Sequence, residues 1–264
     1  PAPRTDLKGD KMTAPMRLFT QKASSASLRV KFFLSRARVP ESLVEPVEMG
    51  LETDDRGIAI WTLPPDDPVT KELGTQELKA LNPEGRIPVL LLPDGRKMTQ
   101  SGAIIDYIRA MNGPDDLVPD DPWQAAEMRR IMWLIAADVQ PYQNIPFIIQ
   151  SMLDWDMVKA DPLRHPLRLH FIRREFGALN GIMERCAGTC AVGDRVSLAD
   201  CFLLPQVRNA LLAGIDLAEE FPVIARVFDH VCEEPGIKQV IEEAGGKVQP
   251  FVYSEEKFRE GATT

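Results

Sequence analysis

Residues 87–108 read IPVLLLPDGRKMTQSGAIIDYI, and they contain the clearest local signals in this chain. Apolar runs on either side of Asp94-Gly95 predict two short strands, because that dipeptide favours a tight hairpin turn. From Ser101 onward the apolar residues take helical spacing, and the pattern stops at Gly113-Pro114. This stretch therefore predicts a β-β-α unit, the closing part of an α/β domain.

The preceding residues add alternating elements to that unit. We predict a strand at 16–20 (MRLFT), a helix from Ser25 to Arg38, a strand at 42–47 (SLVEPV) and a short helix at 76–81 (QELKAL). The resulting order is β-α-β-α-β-β-α. Residues 48–74 are predicted to form a loop of a length that is either functional or disordered, and Trp61 within it indicates packing on another part of the molecule.

The sequence pattern changes after residue 112. Residues 113–122 (GPDDLVPDDP) are rich in Pro and Asp and indicate a linker. Beyond them only helical periodicity is found, at Trp123–Met152, Leu163–Cys186, Leu198–Leu212, Val223–Cys232 and Ile237–Glu243. Residues 153–166 form a second insertion between these helices. We therefore predict an α/β domain at 16–112 followed by an all-α domain at 123–264.

Composition narrows the classes of function. The chain has 264 residues, with 39 acidic and 31 basic side chains and a formal charge of −8. That balance argues against a broad electrostatic attraction to nucleic acid or to an anionic membrane. No apolar run approaches the ~18 residues of a membrane-spanning helix. Residues 1–15 lack an apolar signal core and are predicted to be a polar leader outside the fold.

Cysteine and histidine usage predicts neither a disulfide framework nor a metal site. Cys186, Cys190, Cys201 and Cys232 show no CxxC spacing, and the three histidines do not complete a zinc pattern. We interpret the cysteines as small buried apolar residues of a protein from a reducing compartment. A cytoplasmic location is the prediction that follows.

Two adjacent serines open the first predicted helix. The ordinary role of Ser24 or Ser25 at that position is to cap the free N–H groups of the first turn. The alternative is that one of them faces a ligand. The two roles are compatible, since one hydroxyl can cap while the other donates a hydrogen bond.

Two further positions have an ordinary and a functional interpretation. Ser101, after Gln100, either caps its helix or joins the neighbouring N–H groups in a site that suits a carboxylate. Pro88 begins a strand, where a trans Ile87-Pro88 bond is the ordinary expectation. A cis bond would instead turn a free backbone edge towards a peptide-like ligand.

Five segments together make the sequence resemble the glutathione transferases, and among them the zeta class, which includes maleylacetoacetate isomerase. They are SSASLR at 24–29, NPEGRIPVL at 82–90, Gln100-Ser101, QPYQN at 140–144 and AVGDRVSLADCFLLPQVRNA at 191–210. The likeness runs from about residue 16 to about residue 240, apart from the two insertions. It implies a thioredoxin-like α/β domain followed by an all-α domain, with glutathione as co-substrate and no metal.

The resemblance also implies a role for each matching position. Ser24 would be the catalytic residue, beside the glutathione sulfur. The residues that would bind glutathione are Ser25, Arg29, Ile87, Pro88 in the cis form, Gln100, Ser101, Gln140 and Asn144. Gln100 and Ser101 would hold the γ-glutamyl end. Gln140 and Asn144 would close over the tripeptide from the helical domain.

Three positions depart from the zeta pattern. Ala26 stands where the zeta motif has cysteine, so chemistry that needs a protein thiol is not expected. Ala23 replaces an arginine before the serines. Leu212 replaces an arginine near the substrate carboxylate. Arg208, one helical turn earlier, is either its substitute in the substrate site or an ordinary solvated or ion-paired arginine.

Two functions remain open at this point. The leading prediction is a zeta-like glutathione S-transferase in which Ser24 activates the thiolate for addition to a small electrophile, or for isomerisation of the maleylacetoacetate type. The alternative is a glutathione-transferase-like binding or assembly protein with little catalysis, whose insertions serve as a partner surface. The resemblance implies a homodimer, and the tryptophan-bearing insertion offers extra apolar surface for one.

Overall fold

The computed structural model describes residues 14–53, 59–113, 115–144 and 166–245. The strands are β1 (Met16–Thr20), β2 (Val44–Glu48), β3 (Gly50–Thr53), β4 (Ala59–Thr62), β5 (Val89–Leu91) and β6 (Lys97–Thr99). The first helices are α1 (Ser25–Arg36), α2 (Pro68–Leu73), α3 (Leu78–Leu81), α4 (Ser101–Asn112) and α5 (Pro122–Leu134). Helix α5 continues through a π-helical turn, Ile135–Val139, into α6 (Gln140–Gln143). The last helices are α7 (Pro166–Cys186), α8 (Leu198–Leu212), α9 (Leu217–Glu220), α10 (Pro222–Val231) and α11 (Pro235–Glu243).

Four of the strands form one mixed sheet in the order β2-β1-β5-β6, with β1 and β2 parallel and the other pairs antiparallel. Phe19 near the end of β1 pairs with Val89 at the start of β5, and Val89 pairs with Thr99 at the end of β6. Three segments therefore meet at one edge of the sheet. They are the segment from β1 to Ser24, the residues at Pro88 just before β5, and the segment from β6 to Gln100. This register is what positions the candidate site.

The sheet is buried on both faces. Successive strand residues point to opposite sides, so Leu18 packs into the larger core and Phe19 into a smaller one. The larger core runs without a break from the sheet through Ile104 of α4 to Val207 of α8. The α/β part and the helical part therefore share one hydrophobic core, which fixes α8 against α1.

Helix α8 begins with a capping box deep in the protein. The Asp200 carboxylate is fully buried and accepts hydrogen bonds from the backbone N–H groups of Ser197 and Ala191, both at 2.8 Å. Burial raises the pKa of Asp200, although these hydrogen bonds act in the opposite direction. The cap anchors the start of α8, the helix that carries Arg208 and Leu212 near its other end.

The predicted fold class and element order are confirmed for the sheet, α1, α4 and the helices of the second half. The prediction of a loop at 48–74 is wrong, because β3, β4 and α2 lie within it. Leu51 and Trp61 are directly paired across the β3–β4 hairpin, and Trp61 packs against the smaller core. Four-residue strands are too short to show a clear period of two, which is why the sequence did not reveal them.

Several helix bounds differ from the predicted ones. Helix α1 ends two residues early because Arg38 has a left-handed backbone with φ of 52°. The helix predicted to begin at Trp123 is interrupted by the π-helical turn. Helix α9 was not predicted. Residues 153–165 of the second predicted insertion lie outside the described residues.

Candidate active site

Ser24 is the residue that caps α1. Its backbone is extended, with φ of −80° and ψ of 119°, and its Oγ accepts a hydrogen bond of 3.3 Å from the Ser27 N–H. The cap uses the oxygen as an acceptor, so the hydroxyl hydrogen stays available to donate to a ligand. The first turn of α1 contains no acidic residue, so its N–H groups and helix dipole favour an anion there.

Ser25 does not cap the helix but links the two halves of the protein. Its Oγ accepts a hydrogen bond of 3.1 Å from Nε2 of Gln140, the first residue of α6. The π-helical turn immediately precedes Gln140. Such turns are frequent at functional sites because the extra residue changes which side chains face inward. The structure therefore brings Ser24, Ser25 and Gln140 together, as the resemblance implied.

Gln100 and Ser101 lie at the same sheet edge, at the start of α4. Gln100 has an unusual positive φ of 70°, and its Nε2 donates to Oε2 of Glu84 at 3.1 Å. A positive φ in a residue other than glycine is a conformation that the surrounding structure has to impose. Ser101 is buried in the first turn of α4, which, like that of α1, contains no acidic residue.

The Ile87-Pro88 peptide bond is cis, as the resemblance implied and contrary to the ordinary expectation for an X-Pro bond. The loop before it is held by Asn82, whose Nδ2 donates to the Arg86 carbonyl at 2.6 Å and whose Oδ1 accepts from the Glu84 N–H at 3.0 Å. Sequence reasoning assigned no role to Asn82 or Glu84. The Asn-Pro dipeptide at 82–83 was the available signal, since Asn side chains often bond to nearby backbone groups in turns.

Asn144 and Arg29 are related less directly to the candidate site than the residues described above. Asn144 ends α6, and its backbone N–H bonds to the Gln140 and Pro141 carbonyls. Arg29 is only 2% exposed, and its guanidinium stacks over the Phe202 ring at 4.6 Å. A side chain so deeply buried has almost no surface to offer to glutathione, so the direct contact that the resemblance implies for Arg29 is not seen.

Arg208 and Leu212 lie on the last two turns of α8, both half-buried. Arg208 lines an apolar pocket between α1, α8, α10 and α11, whose other lining residues include Leu28, Phe32, Phe228 and Ile241. Burial lowers the pKa of Arg208, and its Nε has no hydrogen-bond partner. Within the residues that the structure describes Arg208 forms no ion pair, but it keeps partial exposure to solvent, so both the substrate-site role and the solvated role stay predictions. Among the lining residues on α1, Leu28 is the nearer to Ser24, which it follows by one helical turn.

The cysteines take no part in the site. Cys190, Cys201 and Cys232 are buried, and Cys186 is half-buried. Burial raises the pKa of Cys190 to about 12 and also raises that of Cys201, so both thiols stay protonated at neutral pH. Within the described ranges no three His, Cys, Asp or Glu residues cluster in a way that could hold a metal ion. The helices of those ranges include none long and apolar enough to span a membrane.

This architecture defines a class of protein: a thioredoxin-like α/β unit joined to a helical unit, with two serine-bearing helix starts and a cis-proline at one sheet edge. Residues 23–111 match the glutathione S-transferase N-terminal domain, and residues 169–235 match the glutathione S-transferase C-terminal domain. The chain belongs to the glutathione S-transferase family.

Several of the similar proteins carry the name maleylacetoacetate isomerase. Maleylacetoacetate isomerase of Rattus norvegicus is 33% identical over 61% of this chain and 75% of its own length. Probable maleylacetoacetate isomerase 1 of Drosophila melanogaster is 35% identical over 58% of this chain, and the match spans 58% of that relative's length. A solved maleylacetoacetate isomerase from Anaeromyxobacter dehalogenans 2CP-1, with GSH bound in the active site, is 25% identical with a TM-score of 0.62, over 86% of this chain and 94% of that one.

Proposed function

We propose that this protein is a zeta-like glutathione S-transferase that uses Ser24 to stabilise the glutathione thiolate. The observation that carries the proposal is the geometry of Ser24, whose oxygen accepts the cap from Ser27 while its hydroxyl hydrogen remains free. In this assignment Ser25, Gln100, Ser101, Gln140 and Asn144 bind glutathione beside the cis Ile87-Pro88 bond. Residues 16–112 form the glutathione-binding domain, and residues 123–264 form the helical domain with the electrophile pocket.

The energetics require more than one interaction on the sulfur. A free thiol titrates near ~8.5, and a fall of about two units, which corresponds to ~2.7 kcal/mol, makes it mostly ionised at neutral pH. A helix N-terminus contributes roughly 0.3–1 kcal/mol, rising to about 2 kcal/mol when partly buried. One hydrogen bond to a charged acceptor contributes ~1.5–3 kcal/mol. The helix N-terminus alone does not reach ~2.7 kcal/mol and the Ser24 hydrogen bond reaches it only at the upper end of its range, whereas the combined contributions extend well beyond it.

The thiolate then acts as the nucleophile. With a saturated electrophile it displaces a leaving group and forms a C–S bond. With an activated cis alkene it adds to one carbon and forms an enolate, the new single bond rotates, and the C–S bond breaks to release the trans alkene and the thiolate. Ser24 donates a hydrogen bond to the sulfur before addition and after expulsion, and it forms no covalent bond itself.

The charge of the pocket that Arg208 lines restricts the electrophile. Arg208 is the single cation among the described residues that line this pocket, whereas a di-acid needs two cations to offset the desolvation of its carboxylates. We therefore propose a neutral or singly charged electrophile as the preferred substrate, with maleylacetoacetate-type isomerisation as a weaker activity.

The second candidate function, a binding or assembly protein with little turnover, is favoured by one observation. The β3–β4 hairpin presents Ile60, which is 41% exposed, on a surface that the catalytic proposal does not use. In either case we propose a cytoplasmic homodimer. Light scattering that reports a mass near the 29.5 kDa of one chain at micromolar concentration would contradict the dimer.

Titration of the bound glutathione thiol, followed by thiolate absorbance, tests the proposed function. The catalytic proposal requires a pKa of about 6.5 in the complex, two units below the free value. A bound thiol that still titrates near ~8.5 would reject the catalytic proposal and leave the binding protein.

A further inference from the structure

Arg29 is the largest of the fully buried side chains in the described part of the protein. It lies in the second turn of α1, where Leu28 and Val30 on either side are also buried. A guanidinium in such a position normally has a carboxylate partner or a full set of hydrogen bonds.

Arg29 has neither. Its Nε and Nη2 atoms are buried without a hydrogen-bond partner, and it forms no ion pair with any residue of the described ranges. Its one polar contact is the face of the Phe202 ring, 4.6 Å from the guanidinium carbon. Burial lowers the pKa of Arg29 to about 9, so the side chain remains charged at neutral pH. The described part of the protein therefore contains a buried positive charge that no described residue neutralises.

The charge lies behind the candidate anion site. Arg29 follows Ser24 by five residues, about 7.5 Å along the helix axis, and long helical side chains lean back towards the N-terminus. The Phe202 ring also reaches the first turn of α4, where a Cβ added to Gly102 would be 3.7 Å from it. The ring that the guanidinium covers therefore also borders the start of α4, and the starts of α1 and α4 are the positive ends of their helix dipoles. The other charged groups at this edge, Lys22, Glu48 and Glu84, are exposed and therefore screened by solvent.

We infer that Arg29 is a positioning residue that acts through its charge: from inside the core it stabilises the thiolate of glutathione bound at Ser24, without touching the ligand. The inference rests on the proposed function, because it takes the thiolate as the anion. The bound anion supplies the counter-charge that Arg29 does not find among the described residues. The charge of Arg29 is fixed in place and shielded from water. Salt screens a buried charge much less than the charge of a surface lysine, so the effect of Arg29 on a nearby thiol should depend little on salt.

The test compares Arg29→Met with Arg29→Lys and measures the thiol pKa of bound glutathione. Methionine keeps the length and removes the charge, so the thiol pKa should rise by about one unit and kcat/KM below neutral pH should fall up to tenfold. In Arg29→Lys the same burial lowers the lysine pKa towards neutral, so the thiol pKa should lie between those of wild type and Arg29→Met. Arg36→Met is the matched control, because Arg36 lies on the same helix but pairs with Asp116 at the surface. It should leave the thiol pKa unchanged.

Unfolding of the ligand-free protein separates this role from a structural one. Replacing an unpaired buried charge with an apolar side chain of similar size is neutral or stabilising, so Arg29→Met should unfold at the same or a higher urea concentration than wild type. If Arg29→Met does not fold, Arg29→Gln, also neutral, gives the same comparison. If wild type depresses the thiol pKa and the neutral variant depresses it by the same amount, the inference is overturned and the proposed function stands. A thiol pKa that is not depressed in wild type overturns both.

Discussion

Gln140 donates a hydrogen bond of 3.1 Å from its Nε2 to Ser25 Oγ, although the two residues are 115 positions apart in the chain. This bond joins the start of α6 to the start of α1. It places an amide from the helical domain beside the serines of the α/β domain. The candidate glutathione site is therefore formed by both domains.

A double-mutant cycle on this pair measures the contribution of the link. Ser25→Ala and Gln140→Leu should each weaken glutathione binding several-fold, and the double variant should lose little more than either single one. The reason is that both changes remove the same hydrogen bond, with an expected coupling of ~0.5–1.5 kcal/mol. Isothermal titration gives the affinities. Fully additive losses would show that Ser25 and Gln140 act independently.

Ser24→Ala should lower turnover by about 10- to 150-fold and change glutathione affinity little. The lost hydrogen bond, worth ~1.5–3 kcal/mol, acts on the sulfur and not on the ends of the tripeptide. The substitution also removes the cap on Ser27, so a stability loss of about 1 kcal/mol is expected in parallel. Ser24→Thr keeps the cap and the donor and serves as the control. If Ser25→Ala lost turnover and Ser24→Ala did not, the catalytic assignment would be one residue off.

Ser101→Ala should have the opposite profile, with weaker glutathione binding and a smaller effect on turnover at saturation. Its proposed partner is the γ-glutamyl carboxylate, which is held equally in the ground state and the transition state. Calorimetry of glutathione binding checks this directly. An unchanged dissociation constant would remove Ser101 from the site.

The ion pair between Arg17 and Asp67 predicts a pH-dependent stability. Arg17 Nη1 donates to Asp67 Oδ1 at 2.9 Å, and the Asp67 side chain is 6% exposed. Desolvation acts to raise the pKa of Asp67, but hydrogen bonds from Arg17 and from the Val69 N–H outweigh it and lower the pKa. The contribution of the pair is therefore complete above the unfolded value of ~3.9 and is lost as the pH falls through the lower folded-state pKa.

Asp67→Asn isolates that charge, because asparagine can still cap α2 through the Val69 N–H. At pH 7 the variant should lose about 2 kcal/mol of unfolding free energy, and the difference from wild type should shrink below pH ~4. Asp116→Asn is the control: Asp116 is half exposed in its pair with Arg36, so its loss should stay below about 1 kcal/mol. Urea unfolding at both pH values gives the comparison. A difference of equal size at pH 7 and at pH 3 would contradict the assignment.

Leu212→Arg should raise activity towards a di-acid alkene and lower it towards an apolar halide. The new guanidinium would join Arg208 at the end of α8 and offset the desolvation of a second carboxylate. The measurement is kcat/KM on both substrate types, with Arg208→Ala alongside. If the wild type turns over the di-acid efficiently and Arg208→Ala does not, Arg208 alone compensates the charge of the di-acid. That result would contradict the proposed preference for a neutral or singly charged electrophile.

Several elements of this protein were determined by residues that are close to one another in the sequence. The Asp94-Gly95 turn forms the predicted hairpin, with Gly95 at φ of 84°, and α4 spans the predicted residues from Ser101 to Asn112. Strand β1 also has its predicted bounds. In each of these the pattern of apolar residues or the special backbone of a glycine lies within the element itself, so neighbouring residues are sufficient to specify it.

Only the tertiary structure decided the features that depend on residues far apart. The burial of Arg29 follows from the packing of α8 on α1, and no local pattern distinguishes a buried arginine from a surface one. The positive φ of Gln100 is imposed where the end of β6 meets α4. The bond from Gln140 to Ser25 exists because the shared core fixes the helical domain against α1. Contacts between distant residues are set by how whole elements pack, and that information is not contained in any short stretch of the chain.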